Sequence, residues 1–487
     1  MDTAEALRIA PRAAFAGIAL LGLTAFVAIV DGLGLRAAAL AALLVLPIAL
    51  YIAFEWPLES VFGLYVLLVP FDNLLGTGSF GTVTKFLGIA AGAFLTLSLA
   101  RRRAFTFESK PLRILCLFAL WMTASTLWSI DQGSSLKILP TYLGLFVLYA
   151  AVTMVPITTA QFRTLLLLAL LGGICAAAYG AHSFYQNPPQ PDGGPIQRLV
   201  LQVGNSSIDP NHFANALILP ACIAVMWALR AKLAAVRIAC IAATALIVAA
   251  VLLSGSREGL IAMAFIAAYY AWRSRYRLRL MVAVGAVVLV AATVETSVFA
   301  RFSSALQTGG SGRTSIWAVA LEAAKHRLLQ GYGIGSFPAA YDQFYLRVPQ
   351  PYPYGWDSPA HNLILHYLVE TGLVGLFLIA AFLWMQFRSL RDVNPRGDLQ
   401  DERIMMEAAL IAIGIVSTTI DLFHYKYAWL VFFMVALLRN AARNDQEQEA
   451  IRRTTPAMTS ARSLAASTRA LPRSPNSRSA LLSSSER

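Results

Sequence analysis

Apolar runs close to the ~20 residues that one bilayer crossing needs recur along the chain between residues 13 and 440, mostly separated by short polar connections. The pattern predicts fourteen helical spans, beginning with 13–30 and 37–54 and ending with 404–421 and 427–440. The third, 58–73, and the tenth, 258–272, are short enough to be re-entrant or tilted, so about 12–14 transmembrane helices are expected. The first run lacks a small-residue cleavage pattern and reads as a retained helix. Two connections are long: one over about 184–211, rich in Pro and Gly, and one over about 300–360. Within the second, Ile316, Trp317, Ala320, Leu321, Ala324 and Leu328 recur at helical spacing and Gly331 ends the run, which predicts an ordered, partly helical subdomain lying on the outer membrane surface. From about Asn440 the chain turns Ser, Arg and Pro rich without periodicity and reads as disordered.

Composition agrees with a lipid environment. Hydrophobic residues make up 57% of the 487 and charged residues 13%, about half the usual ~25% charged share of a soluble domain. Cys116, Cys175, Cys222 and Cys240 all fall in apolar stretches and read as small buried hydrophobes, with no redox or zinc role.

The net charge of +13 would suggest nucleic acid in a soluble chain; here its distribution sets orientation instead. With both termini inside, 28 of the 39 basic residues fall on cytoplasmic segments, the asymmetry that the positive-inside rule requires. An N-in, C-in topology follows, with both long loops outside and no nucleic-acid partner. The basic tail could also lie against anionic cytoplasmic lipid.

Several polar residues then map to the outer side. Arg257, in the segment Ser254 to Gly259, sits on the face depleted of arginine; it is either a snorkelling helix-end cation paired with Glu258 or an anion ligand. Arg313 follows Gly309-Gly310-Ser311-Gly312 and opens the loop helix, so it is either a solvated loop residue or part of a diphosphate seat. His361 and Asn362 stand where the long loop re-enters the membrane, as a helix cap or as a neutral imidazole able to take a proton from a sugar hydroxyl. Glu370 reads as an intramembrane carboxylate with a structural or mechanistic partner. Asp209-Pro210-Asn211, and Asp421 with His424, Tyr425 and Lys426, complete a polar ring. His366 is five residues from His361, and none of the other four of the six histidines lies at metal-ligand spacing.

In order, the chain holds D-P-N-x-x-A (Asp209 to Ala214), S-G-S-R-E-G (Ser254 to Gly259), S-G-R-x-x-x-W (Ser311 to Trp317), G-x-G-x-G-x-F (Gly331 to Phe337), and A-H-N followed by E-x-G-x-x-G (Ala360 to Gly375). This series resembles the bacterial O-antigen ligase and O-antigen or exopolysaccharide polymerase superfamily, specifically from about residue 200 to 385. The resemblance implies an all-α polytopic membrane protein of GT-C-like fold. It implies a metal-independent inner-membrane glycosyltransferase without a cofactor, which takes glycan from undecaprenyl diphosphate to an acceptor hydroxyl on the periplasmic face. By matching positions, Arg257 and Arg313 would hold the diphosphate and His361 would deprotonate or orient the acceptor, with Asp209, Asn211, Asn362 and Glu370 in support. The loop from Arg347 to Asp357, rich in Pro, Tyr and Trp, has no counterpart in the family pattern; the stretch from Tyr345 to Trp356 is the candidate acceptor surface, with Tyr352, Tyr354 and Trp356 as its contacts.

The expected organisation is N-terminal membrane helices over 1–199, a ligase-like catalytic region over 200–440 that includes a periplasmic loop at 299–360, and a disordered basic cytoplasmic tail over 441–487. The acceptor could be a lipid A core (ligase) or a second carrier-linked glycan (polymerase), membrane lipids surround the chain, and other polysaccharide-assembly proteins are conceivable partners. A polytopic transporter is the rival from another class; it would be favoured by an internal repeat of the two halves, and none is visible.

Overall fold

The computed structural model describes residues 50–74, 82–103, 105–186, 198–203, 206–273, 313–349, 355–394 and 397–469. After a helical segment at 50–55, Leu58–Leu74 winds through π-helical, α-helical (α1, Gly63–Leu68) and 3-10 turns. There follow α2 (Val83–Arg102), α3 (Lys110–Ser125), α4 (Gln132–Met154), α5 (Thr159–Gln186), a small hairpin of β1 (Leu201–Val203) and β2 (Ser206–Ile208), and α6 (Pro210–Ala216). The remainder comprises α7 (Ile218–Arg230), α8 (Ala234–Leu253), α9 (Arg257–Arg273), α10 (Arg313–His326), α11 (Phe337–Tyr345), α12 (Leu363–Ser389), α13 (Gln400–Val416) and α14 (Lys426–Arg469).

Among the described residues seven helical segments are long and apolar enough to cross a membrane, so the chain is an all-α multi-pass membrane protein. The short third and tenth runs are not among the seven. The first breaks into mixed helical turns and the second is the 17-residue α9. The expected spans at 13–30 and 280–298, and most of 37–54, lie outside the described residues.

The helix starts differ between the two ends of the bundle. Thr82, Asp131, Asp209 and Asn362 each cap the helix that follows by accepting backbone N–H bonds through the side chain. At the other end α3, α8 and α13 begin without a side-chain cap, and only α5 has one, the Thr158 hydroxyl accepting the Gln161 N–H at 3.3 Å. A capping oxygen satisfies one of the four orphan N–H groups of a helix start. The end that begins α2, α4, α6 and α12 is therefore lined with polar side chains, and the candidate site is found there.

α12 is broken at Gly372, whose φ of 67° and ψ of −169° only glycine adopts readily. The loop Gly331–Gly335 enters the break. Tyr332 N–H donates to the Val369 carbonyl at 2.8 Å, Gly333 N–H to Glu370 at 2.8 Å, and Leu373 N–H to Leu328 at 2.8 Å. From α3, the Trp121 indole donates to the Thr371 carbonyl at 2.9 Å. Backbone groups freed by the kink are thus satisfied by the loop. A Cβ at Gly372 would collide with the Leu329 carbonyl, and one at Gly331 with that of Glu370. Beyond the break α12 continues for 17 residues to Ser389 and the 3-10 turn Leu390–Asp392 prolongs it, a length within the range that crosses the hydrocarbon core. Glu370, expected as an intramembrane carboxylate, lies within the candidate span Leu363–Asp392, just before the break, and is 1% exposed. Its Oε1 accepts the N–H of Phe337 at 3.1 Å, capping α11 where Ser336 supplies no side-chain bond.

Gly372→Ala is expected to destabilise the protein by about 3 kcal/mol or more, seen as a lower midpoint of thermal aggregation in detergent. Gly414→Ala, with open space around its Cβ, should be neutral or slightly stabilising. Equal midpoints for the two variants would refute the interlock.

α10 buries Ile316, Val319, Ala320, Ala323 and Ala324 against Phe337, Tyr341 and Phe344 of α11 and against Leu365 and Val369 of α12. Leu321, expected on the buried stripe, is exposed, as is Leu328 beyond the helix end at His326. The buried face is shifted by one residue, to Ile316, Val319, Ala320, Ala323 and Ala324.

At the opposite end, Glu402 is fully buried and pairs with Arg163 at 2.8 Å and Arg230 at 2.6 Å. Glu407 pairs with Arg403 at 3.0 Å and Arg273 at 3.3 Å. Three arginines that enter the orientation count, Arg163, Arg230 and Arg273, are therefore also internal ties between helices, while Arg403 pairs within α13. The cysteines divide: Cys222 and Cys240 are buried, but Cys116 and Cys175 are exposed on helix surfaces. An apolar stretch in a membrane protein can face lipid as well as core, so composition alone does not bury a thiol. The tail also differs from expectation, since residues 443–469 are helical rather than disordered, within a unit separate from 1–442. Its start, Asn444 to Arg453, is rich in Gln, Glu, Ala and Arg, all good helix formers, and Arg443 pairs with Glu447 one turn on at 3.0 Å.

Candidate functional site

The polar end of the bundle gathers residues that lie far apart in the sequence, from Asp72 to Tyr427. Asp209 caps α6, accepting from the N–H groups of Asn211 at 2.8 Å and His212 at 3.4 Å. Pro210 follows at the first helical position, where its missing N–H costs nothing. The Asn211 side-chain oxygen accepts from Arg198 at 2.9 Å, and the same guanidinium donates to the Ser254 carbonyl at 2.8 Å. Arg198 thereby ties the D-P-N segment to the turn before α9. In that turn Gly255 takes a φ of 64°, and the fully buried Ser256 receives the Gly259 N–H at 3.2 Å. Arg257 opens α9 with its charge beside Glu258.

Glu258 does not reserve itself for Arg257. Its Oε1 meets Nη1 of Arg313 at 2.5 Å, joining the start of α9 to the start of α10. Both side chains are largely out of solvent, with 14% of Arg313 and 7% of Glu258 exposed. Arg313 is therefore neither a solvated loop residue nor an unneutralised cation. The Gly309–Gly312 segment before it lies outside the described residues.

His361 stands at the mouth of α12 with a φ of 47°, in the left-handed region that non-glycine residues seldom occupy. It is held there from both sides. The Trp317 indole of α10 donates to the Ala360 carbonyl at 3.2 Å, Asn362 Nδ2 donates to the Thr418 carbonyl at 2.8 Å, and Leu363 N–H donates to Ser417 at 2.9 Å. A conformation costing on the order of 1–3 kcal/mol persists when its neighbours over-determine it, and such residues cluster at functional sites. Burial lowers the His361 pKa from its usual 6.5, and the Arg313 charge lowers it further against Asp209, Glu258 and Asp421, which raise it. The imidazole is neutral at neutral pH, the form that accepts a proton.

Asp421, whose charge is felt at His361, belongs to a cluster of acids and imidazoles. Asp421 Oδ2 is 3.4 Å from His366 Nε2 and 3.2 Å from His424 Nδ1, and His366 is 3.2 Å from Glu370. Tyr425 is flanked by the rings of His212 and His424 at 4.0 and 4.1 Å. His212 Nδ1 meets the Tyr427 hydroxyl at 2.8 Å. Lys426 pairs with Asp72 at 2.5 Å and also reaches Thr82 and Thr84, so the turn before α14 is anchored to the first half of the chain. His212, Arg198 and Asp72 are additions to the residues expected from the sequence, and His366, weighed there only as a metal ligand, joins the site through carboxylates instead. The i, i+4 pair His366 and Glu370 was the one legible signal among them.

Of the aromatic candidates, Tyr352 and Tyr354 lie outside the described residues. Trp356 is 55% exposed, with its ring 4.5 Å from that of Tyr345.

Residues 242–380 match the family model described as O-antigen ligase. The resemblance read from the motifs holds. Arg257, Glu258, Arg313, His361, His366 and Glu370 fall inside the O-antigen ligase match, whereas Asp209, Asn211, Asp421 and His424 lie outside it. The geometry nevertheless puts Asp209 and Asp421 within electrostatic reach of His361. No curated protein matches the chain. The membrane helices give a multi-pass membrane protein, and the O-antigen ligase match over 242–380 supports an O-antigen ligase or polymerase-type function.

Proposed function

We propose that the protein transfers glycan from undecaprenyl diphosphate to an acceptor hydroxyl, at a site built on Arg257, Arg313 and His361. The observation that carries the reading is the convergence, inside the O-antigen ligase match, of two arginines at helix starts with a strained histidine whose pKa is lowered. In the reaction the acceptor oxygen bonds to the anomeric carbon and the bond from that carbon to the diphosphate oxygen breaks. The acceptor proton passes to His361, and the departing negative charge is met by Arg257 and Arg313. Guanidinium suits this work because its fork can hold two phosphate oxygens at once. Asp209, Asn211 and Asn362 act by fixing the turns that present these groups, and Glu370 by fixing α11 and the Gly372 break. Trp356 on Tyr345 offers a flat apolar face to an acceptor sugar.

The chain is placed in the bacterial inner membrane with both termini cytoplasmic and the site facing the periplasm, on the strength of the basic-residue partition. Single cysteines near Gly193 and Gly310, in a background without native Cys, should react with an impermeant thiol reagent in cells whose inner membrane is intact. Labelling only after that membrane is broken would reverse the orientation.

Ligation to a lipid A core is the leading form, with polymerisation of carrier-linked repeats as the second, since both release the same diphosphate. Purified protein given only an undecaprenyl diphosphate-linked oligosaccharide should leave it unchanged until a lipid A core is added. A ladder of longer carrier-linked chains from donor alone would make it a polymerase. No transfer under either condition, in protein that remains folded, would refute the proposed chemistry.

A further inference from the structure

We infer that Glu258 is a positioning residue for the donor, holding the Arg313 guanidinium so that the rest of its fork is free to meet a diphosphate oxygen. The inference rests on the diphosphate-transfer reading above and adds to it a residue with no role in bond making. The two partners belong to different parts of the fold: Glu258 is in the first turn of α9 and Arg313 opens α10 of the loop subdomain. An arginine on a long loop has many rotamers, and a diphosphate seat needs one of them.

The contact is one-pronged. Among the described residues Arg313 gives a single hydrogen bond, from Nη1 to Glu258 Oε1. The second carboxylate oxygen receives the Ser256 hydroxyl at 3.3 Å instead. The Ser256 hydroxyl is itself set by the Gly259 N–H at 3.2 Å, so the carboxylate is held by the first turn of its own helix. Glu258 thus grips one nitrogen of the guanidinium and leaves the edge formed by Nε and Nη2, the edge that can donate to two phosphate oxygens side by side. A carboxylate acting as a competitor for the diphosphate would be expected to cover that edge with both oxygens. Burial strengthens the effect, since an ion pair shielded from water keeps its geometry better than an exposed one.

The test measures binding of undecaprenyl diphosphate to the purified full-length protein in nanodiscs, together with donor and acceptor KM in the transfer reaction. Glu258→Ala should weaken binding of undecaprenyl diphosphate by about tenfold or more, and Glu258→Gln by only a few-fold, because the amide oxygen still accepts from Nη1 without the charge. The loss should fall on donor KM, with acceptor KM unmoved. Combining Glu258→Ala with Arg313→Ala should bind no more weakly than Arg313→Ala alone, the non-additivity expected of a residue acting through another. Wild-type binding in the near-isosteric Glu258→Gln and in Glu258→Ala would overturn the inference. So would tighter binding, which would make Glu258 a competitor, or losses that simply add. If the wild-type protein itself fails to bind undecaprenyl diphosphate, the diphosphate reading falls and this inference with it, an outcome distinct from the others.

Discussion

Alanine in place of His361 is expected to lower glycan transfer by a factor of about 10²–10⁴, the range over which a positioned general base accelerates a reaction. The protein should remain in the membrane at normal abundance, because Trp317, Asn362 and Leu363 also fix the neighbouring backbone. The wild-type pH profile provides an independent measure. Protonation removes the base, so activity must fall on the acid side. Burial and then the Arg313 charge lower the His361 pKa below 6.5, so the acid limb should have its midpoint below 6.5 and not at or above it. A midpoint above the ordinary imidazole value, or an alanine variant with wild-type turnover, would remove His361 from the chemistry.

Arg257→Ala and Arg313→Ala should each reduce transfer by about 10²–10³, the usual effect of deleting one donor aimed at a developing anion. Lysine should restore little at either position. An ammonium is a point charge that cannot span two phosphate oxygens, and at position 313 it would sit directly on Glu258 and be neutralised there. Rates would be measured with purified protein and a carrier-linked donor at saturating acceptor. Full activity in Arg257→Lys together with Arg313→Lys would mean that net charge alone suffices, and the fork geometry would have to be abandoned.

How far these positions could be read in advance depends on the kind of interaction that holds them. Arg257, Arg313 and His361 were legible because charge on the side depleted of arginine is conspicuous in an apolar chain, and Asp209-Pro210 because a capping residue followed by proline has a fixed meaning at a helix start. The partner of Arg313 was not legible: Glu258 is far away in sequence and adjacent to a different arginine, so proximity along the chain pointed to the wrong pair. Glu370 stood out as a buried acid, but its work of capping α11 depends on a fold-back that no local pattern encodes. The break in α12 was hidden for a related reason. Its bonds join backbone to backbone, and only the glycines at 331, 333 and 372 mark where they form. Exposure of Cys116 and Cys175 was misjudged because lipid and protein interior select the same side chains.

The interlock at Gly372 limits how this protein can be recombined. The loop subdomain and α12 share a stitched seam, in which residues 328–333 exchange backbone bonds with 369–373. A chimaera that takes the outer loop of a relative and keeps the native α12, or the reverse, would have to match two surfaces at once, without side-chain chemistry to forgive a shift of one residue. Crossovers placed before Arg313 and after Asp392 carry the seam as one cassette. Variation in acceptor preference is therefore most readily tolerated at positions such as Trp356, which projects from the cassette without entering its stitching.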